Sequence, residues 1–120
     1  MADPNAASIM AIVHGVFYVL TGIWPIFHIG SFQKVTGPKT DLWLVRTVGL
    51  LITVIGVTIL SAGYRNAMSI EVLILAIGAP VALASIDLVY VTAKVIPRIY
   101  LLDAVVEFVL IAAWVALTIA

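Results

Sequence analysis

The stretch IYLLDAVVEFVLIAAWVALTIA, residues 99–120, is an apolar run long enough to cross a bilayer, yet it carries Tyr100, Asp103 and Glu107. An ionised Asp at the centre of a membrane helix costs about 2.5–3.5 kcal/mol even on lenient insertion scales. Asp103 and Glu107 lie one helical turn apart, so the chain must give them partners, hold them protonated or use them. The stretch therefore predicts a polar site inside a helical membrane bundle.

The composition of the whole chain agrees with a membrane protein. The 120 residues are 64% hydrophobic, against about 45–50% apolar residues in soluble domains. The formal net charge is zero, so no basic face is available and we expect no nucleic-acid partner. The chain has no cysteine, which excludes thiolate catalysis, iron–sulfur clusters and cysteine-based zinc sites. It also has no Glu-x-x-His pair, so we expect no metal site.

Four apolar segments each approach the 20 or so residues that cross about 30 Å of hydrocarbon. They predict helices over about residues 6–29, 42–62, 70–93 and 97–119, within one integral membrane domain that spans residues 1–120. Short connections make sequential helices antiparallel neighbours. The predicted fold is therefore all-α, an antiparallel bundle of four transmembrane helices with short loops.

The basic residues predict how this bundle is oriented. Only Arg65 lies by the second connection, whereas the other five flank the first and third connections: Lys34, Lys39, Arg46, Lys94 and Arg98. The positive-inside rule then places these two connections in the cytoplasm and both termini outside. We expect this orientation in a bacterial cytoplasmic membrane.

The polar residues of each predicted helix fall on one line when successive residues are set about 100° apart. Four such lines are all buried only if they face one another along the bundle axis. At 1.5 Å per residue, the acids of the last two helices lie between the cytoplasmic surface and the midplane. The sequence therefore predicts an acidic–aromatic pocket in the cytoplasmic half. Its predicted residues are Asp103, Glu107, Asp87, Arg46, Tyr90, Tyr100 and His28.

Two of these features have alternative interpretations. Arg46 faces the carboxylates in the predicted pocket, but it also fits an interhelical ion pair with Asp87 or Asp103 that only fixes packing. His14 and His28 are about 21 Å apart along one helix face, a spacing that suits two stacked b-type haems. Because a second histidine-bearing helix would have to come from another subunit, we expect no cofactor and keep haem as the alternative.

Small residues recur at heptad spacing in the first two predicted helices. Gly15 and Gly22 are seven residues apart, as are Gly49, Gly56 and Gly63. Small residues at this spacing let membrane helices approach closely. We interpret them as packing residues.

The segment from His14 to Arg46 includes HIGSFQK (28–34) and TGPKTDLWLVRT (36–47), and it resembles small four-helix membrane proteins of the DoxX-like group. That resemblance covers the whole chain and implies a fold but little chemistry. The layout is also similar to the sterol-isomerase and sigma-2-receptor type, in which buried acids hold an amine or a carbocation. By that resemblance, Asp87, Asp103 and Glu107 would fill this role. Small multidrug exporters are similar in length, but their essential Glu lies in the first helix, where this chain has no acid.

Three functions remain open. The first is binding of a lipid-like or amine small molecule in the pocket, with or without acid–base chemistry by Glu107 and Asp103. The second is an accessory subunit of a larger membrane complex. The third is a proton- or cation-coupled transporter that acts as a dimer with Glu107 as its carrier. The partners expected are membrane lipids, a hydrophobic or cationic small molecule, and a second copy or a larger complex.

Overall fold

The computed structural model describes residues 4–119, so residues 1–3 and 120 of the predicted domain lie outside the described residues. This range is all-helical and has no strand. The helices are α1 (Pro4–Phe27), α2 (Ile29–Thr36), α3 (Leu42–Tyr64), α4 (Ile70–Thr92) and α5 (Tyr100–Ile119). Four of them, α1, α3, α4 and α5, are long and apolar enough to cross a membrane. The predicted helical class and the four membrane-length helices are confirmed, and they have the composition of an integral membrane protein.

The short helix α2 differs from the prediction, which placed a loop between the first two spans. His28 caps this helix, because its Nδ1 accepts a hydrogen bond from the backbone N–H of Ser31 at 3.1 Å. The side chain of Trp24 holds α2 against the end of α1, since its indole N–H donates a hydrogen bond to Ser31 Oγ at 2.8 Å. The Trp24 ring also meets Phe32 edge-on, with ring centroids 5.3 Å apart. The chain therefore folds back on the end of α1 instead of leaving it as an open loop.

The start of α5 also differs, because the helix begins at Tyr100 and not at Pro97. The backbone N–H of Tyr100 donates to the carbonyl of Pro97 at 3.2 Å, and Leu101 donates to Arg98 at 2.9 Å. These bonds span three residues, as in a 3₁₀ turn. Proline thus starts a tighter turn that leads into α5.

Helices α1 and α3 pack with their backbones in direct contact. A Cβ added to Gly22 would lie 2.5 Å from the carbonyl oxygen of Gly49, and one added to Gly15 would lie 2.6 Å from that of Gly56. The contacts pair early residues of α1 with late residues of α3, so these two helices run in opposite directions. The interpretation of the heptad-spaced glycines as packing residues is confirmed.

The second helix pair, α4 and α5, meets the first pair in an apolar core at one end of the molecule. There the starts of α1 and α4 and the ends of α3 and α5 share an apolar core. Its buried members are Ala7, Ala11, Ile59, Ala76 and Trp114. We call this the closed end. At the opposite end, the cavity end, space remains between the two pairs.

The glycine contacts predict a large effect of one added methyl group. Gly22→Ala is expected to destabilise the protein by about 1–3 kcal/mol, because the new Cβ meets backbone atoms of α3 that cannot move aside. Gly78→Ala is the matched control, since a Cβ there meets nothing within 4 Å. It is expected to be neutral or to stabilise α4 by about 0.5–1 kcal/mol. Unfolding of the purified variants in mixed micelles measures both. Equal stabilities would contradict the close packing of α1 on α3.

Candidate functional site

The space at the cavity end has a volume of about 570 Å³. This lies within the roughly 300–1,000 Å³ typical of small-molecule pockets. All five helices contribute to its wall, and most of the side chains there are apolar. Helix α2 supplies Phe32, Val35 and Thr36, so the short helix missed by sequence reasoning covers part of the cavity. The cavity is thus apolar over most of its surface.

Three carboxyl groups meet in the cavity wall. Asp87 comes from α4, and Asp103 and Glu107 come from successive turns of α5. Asp103 lies within side-chain hydrogen-bonding reach of both Asp87 and Glu107. Glu107 is fully buried and Asp87 is 5% exposed. The structure therefore brings together the three acids that sequence analysis placed at similar depth.

The Tyr18 side chain is hydrogen-bonded to one carboxyl oxygen of Glu107. Its hydroxyl donates to Glu107 Oε1 at 2.6 Å, and the Tyr18 side chain is itself buried. The other oxygen, Glu107 Oε2, receives no hydrogen bond from the described residues, and neither does Asp87 Oδ2. Asp103 can donate to these oxygens only when it carries a proton, because an ionised carboxylate only accepts. Glu107 and Asp87 thus each have one buried oxygen that no donor among residues 4–119 satisfies.

A second buried pair continues this polar interior toward the closed end. The Trp114 indole N–H donates to His14 Nδ1 at 3.0 Å, and both side chains are buried. The His14 ring meets the Tyr18 ring edge-on, with centroids 4.4 Å apart. Indole is only a donor, so the hydrogen of a neutral His14 lies on Nε2.

Not all seven predicted site residues line the cavity. Tyr100 lines it together with the three acids, whereas Arg46, Tyr90 and His28 do not. These three are exposed, and His28 serves as the cap of α2. Within residues 4–119, Arg46 forms no ion pair with a carboxylate. The interhelical ion pair with Asp87 or Asp103, which was the alternative interpretation of Arg46, is therefore not formed either.

The cation that does line the cavity is Lys39. Its ammonium group donates to the carbonyls of Thr36 at 3.0 Å and Gly37 at 2.9 Å. It also lies over the Tyr100 ring, 5.2 Å from the centroid, within the range of a cation–π contact. Sequence analysis used Lys39 only to orient the helices. The structure adds that Lys39 connects the loop after α2 to the start of α5, in the wall of the cavity.

Tyr18 is the site residue that sequence reasoning missed. It lies four residues after His14, on the same helix face, and this spacing was the available signal. Its neighbour Phe17 also lines the cavity. Tyr18 is the one of the two that packs against α3, since a Cβ on Gly56 would lie 2.9 Å from Tyr18 Cβ.

The chain matches no protein-family model, no curated protein and no solved structure. The resemblance to DoxX-like proteins therefore stays a prediction, and the geometry of the cavity carries the functional argument.

The Tyr18–Glu107 hydrogen bond predicts a stability effect. Tyr18→Phe is expected to destabilise the protein by about 1–3 kcal/mol, because it leaves both oxygens of a buried carboxyl group without a donor. Tyr90→Phe removes the same hydroxyl from an exposed tyrosine of α4 and is expected to change stability by less than about 0.5 kcal/mol. Unfolding in mixed micelles compares the two. Similar losses in both variants, or no loss in either, would contradict a structural role for this bond.

Proposed function

We propose that this protein binds a lipid-like or amine small molecule in the cavity between its two helix pairs. The observation that carries the proposal is an apolar cavity lined by Glu107 and Asp87, each of which has one buried carboxyl oxygen, Oε2 and Oδ2, that receives no hydrogen bond from residues 4–119. Apolar walls favour hydrocarbon, and carboxyl groups favour a cation or a hydrogen-bond donor. A ligand that joins an apolar body to a donor group complements both parts.

The energetics of the buried acids support a bound ligand. A buried polar group without a hydrogen bond costs about 1–3 kcal/mol by protein mutational data, and an unpaired charge costs more. A charge-assisted hydrogen bond from a ligand is about twice as strong as one between neutral groups. A ligand that donates to Glu107 and Asp87 would therefore offset a cost that the protein bears when the cavity is empty.

The cavity wall is continuous with the surface that faces the lipid. Leu44 and Val48 of α3 line the cavity and are 43% and 48% exposed, and Leu102 of α5 is 64% exposed. These residues lie within membrane-length helices, so their exposed sides face hydrocarbon. A lipid-like ligand can thus reach the cavity from within the bilayer.

The proposal includes an orientation. Five of the six basic residues flank the cavity end, so the positive-inside rule places this end in the cytoplasmic leaflet and both termini outside, within an antiparallel four-helix bundle. In this orientation the cavity faces the inner leaflet.

The structure favours ligand binding over transport. A carrier acid must be reachable in turn from both sides of the membrane. Glu107 lines the cavity, but the apolar core around Trp114 fills the space on its other side. Transport would require that core to open. No contact described above favours an accessory subunit, which becomes an outcome of the first test.

Native mass spectrometry of the protein extracted gently from its own membrane tests the proposal. The protein is expected to retain one small molecule, and Glu107→Gln or Asp103→Asn is expected to lose it because the polar anchor is weakened. Glu71→Gln is the control, since Glu71 is an exposed acid near the closed end. Stoichiometric foreign subunits without any small mass would contradict ligand binding and support the accessory-subunit alternative.

Single cysteines test the orientation cleanly, because the chain has none of its own. A membrane-impermeant maleimide added to intact cells is expected to label Arg65→Cys and to leave Arg98→Cys unlabelled. After the membrane is opened, both variants should react. The reverse pattern in intact cells would place the cavity end outside.

A further inference from the structure

The hydrogen-bonding capacity of the cavity points to one kind of head group. Glu107 Oε1 is already bonded to Tyr18, whereas Glu107 Oε2 and Asp87 Oδ2 receive no hydrogen bond from residues 4–119. Both side chains are more than nine-tenths buried and line the cavity. A donor group on a ligand would satisfy these oxygens.

We infer that the ligand is a single-chain primary amine, whose ammonium group donates to Glu107 and Asp87 while its alkyl chain fills the apolar cavity. This inference rests on the proposed function and narrows it to one ligand class.

A primary ammonium has the donors that this cluster lacks. It carries three N–H groups, and the cavity wall contributes three carboxyl groups, those of Asp87, Asp103 and Glu107. A bond from an ammonium to a carboxylate is charge-assisted and therefore short and strong. One ammonium thus has enough donors for the unsatisfied oxygens of Glu107 and Asp87.

Other head groups complement the cluster less well. A quaternary ammonium has no N–H, so it would bring charge next to the oxygens but leave them without a hydrogen bond. A hydroxyl donates only once and carries no charge. A metal ion needs several ligands at short range, and no three His, Cys, Asp or Glu side chains among residues 4–119, the acids of the cavity included, are arranged to hold one.

The size and opening of the cavity indicate the rest of the ligand. A volume of about 570 Å³ suits a drug-sized molecule, and it suits one alkyl chain better than the two chains of a membrane phospholipid. The chain would lie against the apolar side chains of α3 and α5, where the wall opens to the lipid. The amine end would then lie inside the bundle and the tail end at the opening.

A matched series of probes tests this inference. The protein is placed in phosphatidylcholine nanodiscs, whose lipid carries no primary amine. Dodecylamine, dodecyltrimethylammonium and dodecanol share one chain length and differ in charge and in N–H donors. Bound molecules are counted by native mass spectrometry, and affinity is followed by the shift in unfolding temperature, which rises with ligand concentration.

Dodecylamine is expected to bind at least about tenfold more tightly than either analogue, a difference of about 1.4 kcal/mol. Glu107→Gln is expected to abolish this preference. Asp87→Asn is the second variant, so the inference stays testable if the first does not fold, and Glu71→Gln should keep the preference.

Each other result overturns the inference in a distinguishable way. Equal binding of dodecylamine and dodecyltrimethylammonium would show recognition by charge alone. Equal binding of all three probes would show recognition by the apolar wall alone. Both results would overturn the primary-amine inference and leave the proposed binding function standing. No binding of any probe would count against the proposed function as well.

Discussion

The backbone contact between α1 and α3 is the constraint on which the rest of the structure depends. Glycine at positions 15, 22, 49 and 56 removes the side chains that would otherwise hold these helices apart. The contact sets the rotation of α1, and that rotation turns Tyr18 and His14 into the bundle. Tyr18 then bonds Glu107, and His14 bonds Trp114, both on α5. A glycine contact between two helices thus determines how a third helix is held.

The same arrangement explains why the molecule is filled at one end and open at the other. Small alanines at the closed end let all four long helices converge on Ile59 and Trp114. At the cavity end, larger side chains and three carboxyl groups face the interior, and carboxyl groups do not pack as apolar side chains do. Burying them without partners is costly, so a cavity that admits a partner is a physical alternative to a dry core. Trp24 contacts α2, and Lys39 connects the following loop to α5. These contacts limit how much the cavity at this end can narrow or widen.

Much of this architecture could be predicted from the sequence, for identifiable reasons. Membrane helices have a length set by the bilayer, so four apolar runs of about 20 residues predicted α1, α3, α4 and α5. Helical angle and depth also predicted that Asp87, Asp103 and Glu107 would meet. Helix α2 was missed because it has eight residues and includes Gly30 and Ser31, which are weak helix formers.

The errors at Arg46 and Tyr18 have a common cause. Helical angle assigns a residue to one side of its helix only coarsely, and tertiary contact decides the rest. Arg46 is three residues before Gly49, so the helical angle places both on one side of α3. The contact of Gly49 with α1, however, turns Arg46 away from the acids. A long side chain near a helix end also extends toward the membrane surface. Phe17 and Tyr18 are adjacent and both line the cavity, and the position of Gly56 distinguishes Tyr18 as the one that packs against α3. Such rotations depend on the partner helix, which a single sequence does not specify.

The packed closed end has a consequence for the lipids around the protein. Because the apolar core fills the space between the long helices at that end, a cavity that binds lipid-like molecules as proposed would exchange them with one monolayer of the bilayer. An amphiphile that flips from one monolayer to the other would then change the occupancy of the cavity, even when its total amount in the membrane stays constant. A protein built in this way would respond to the transverse asymmetry of a membrane.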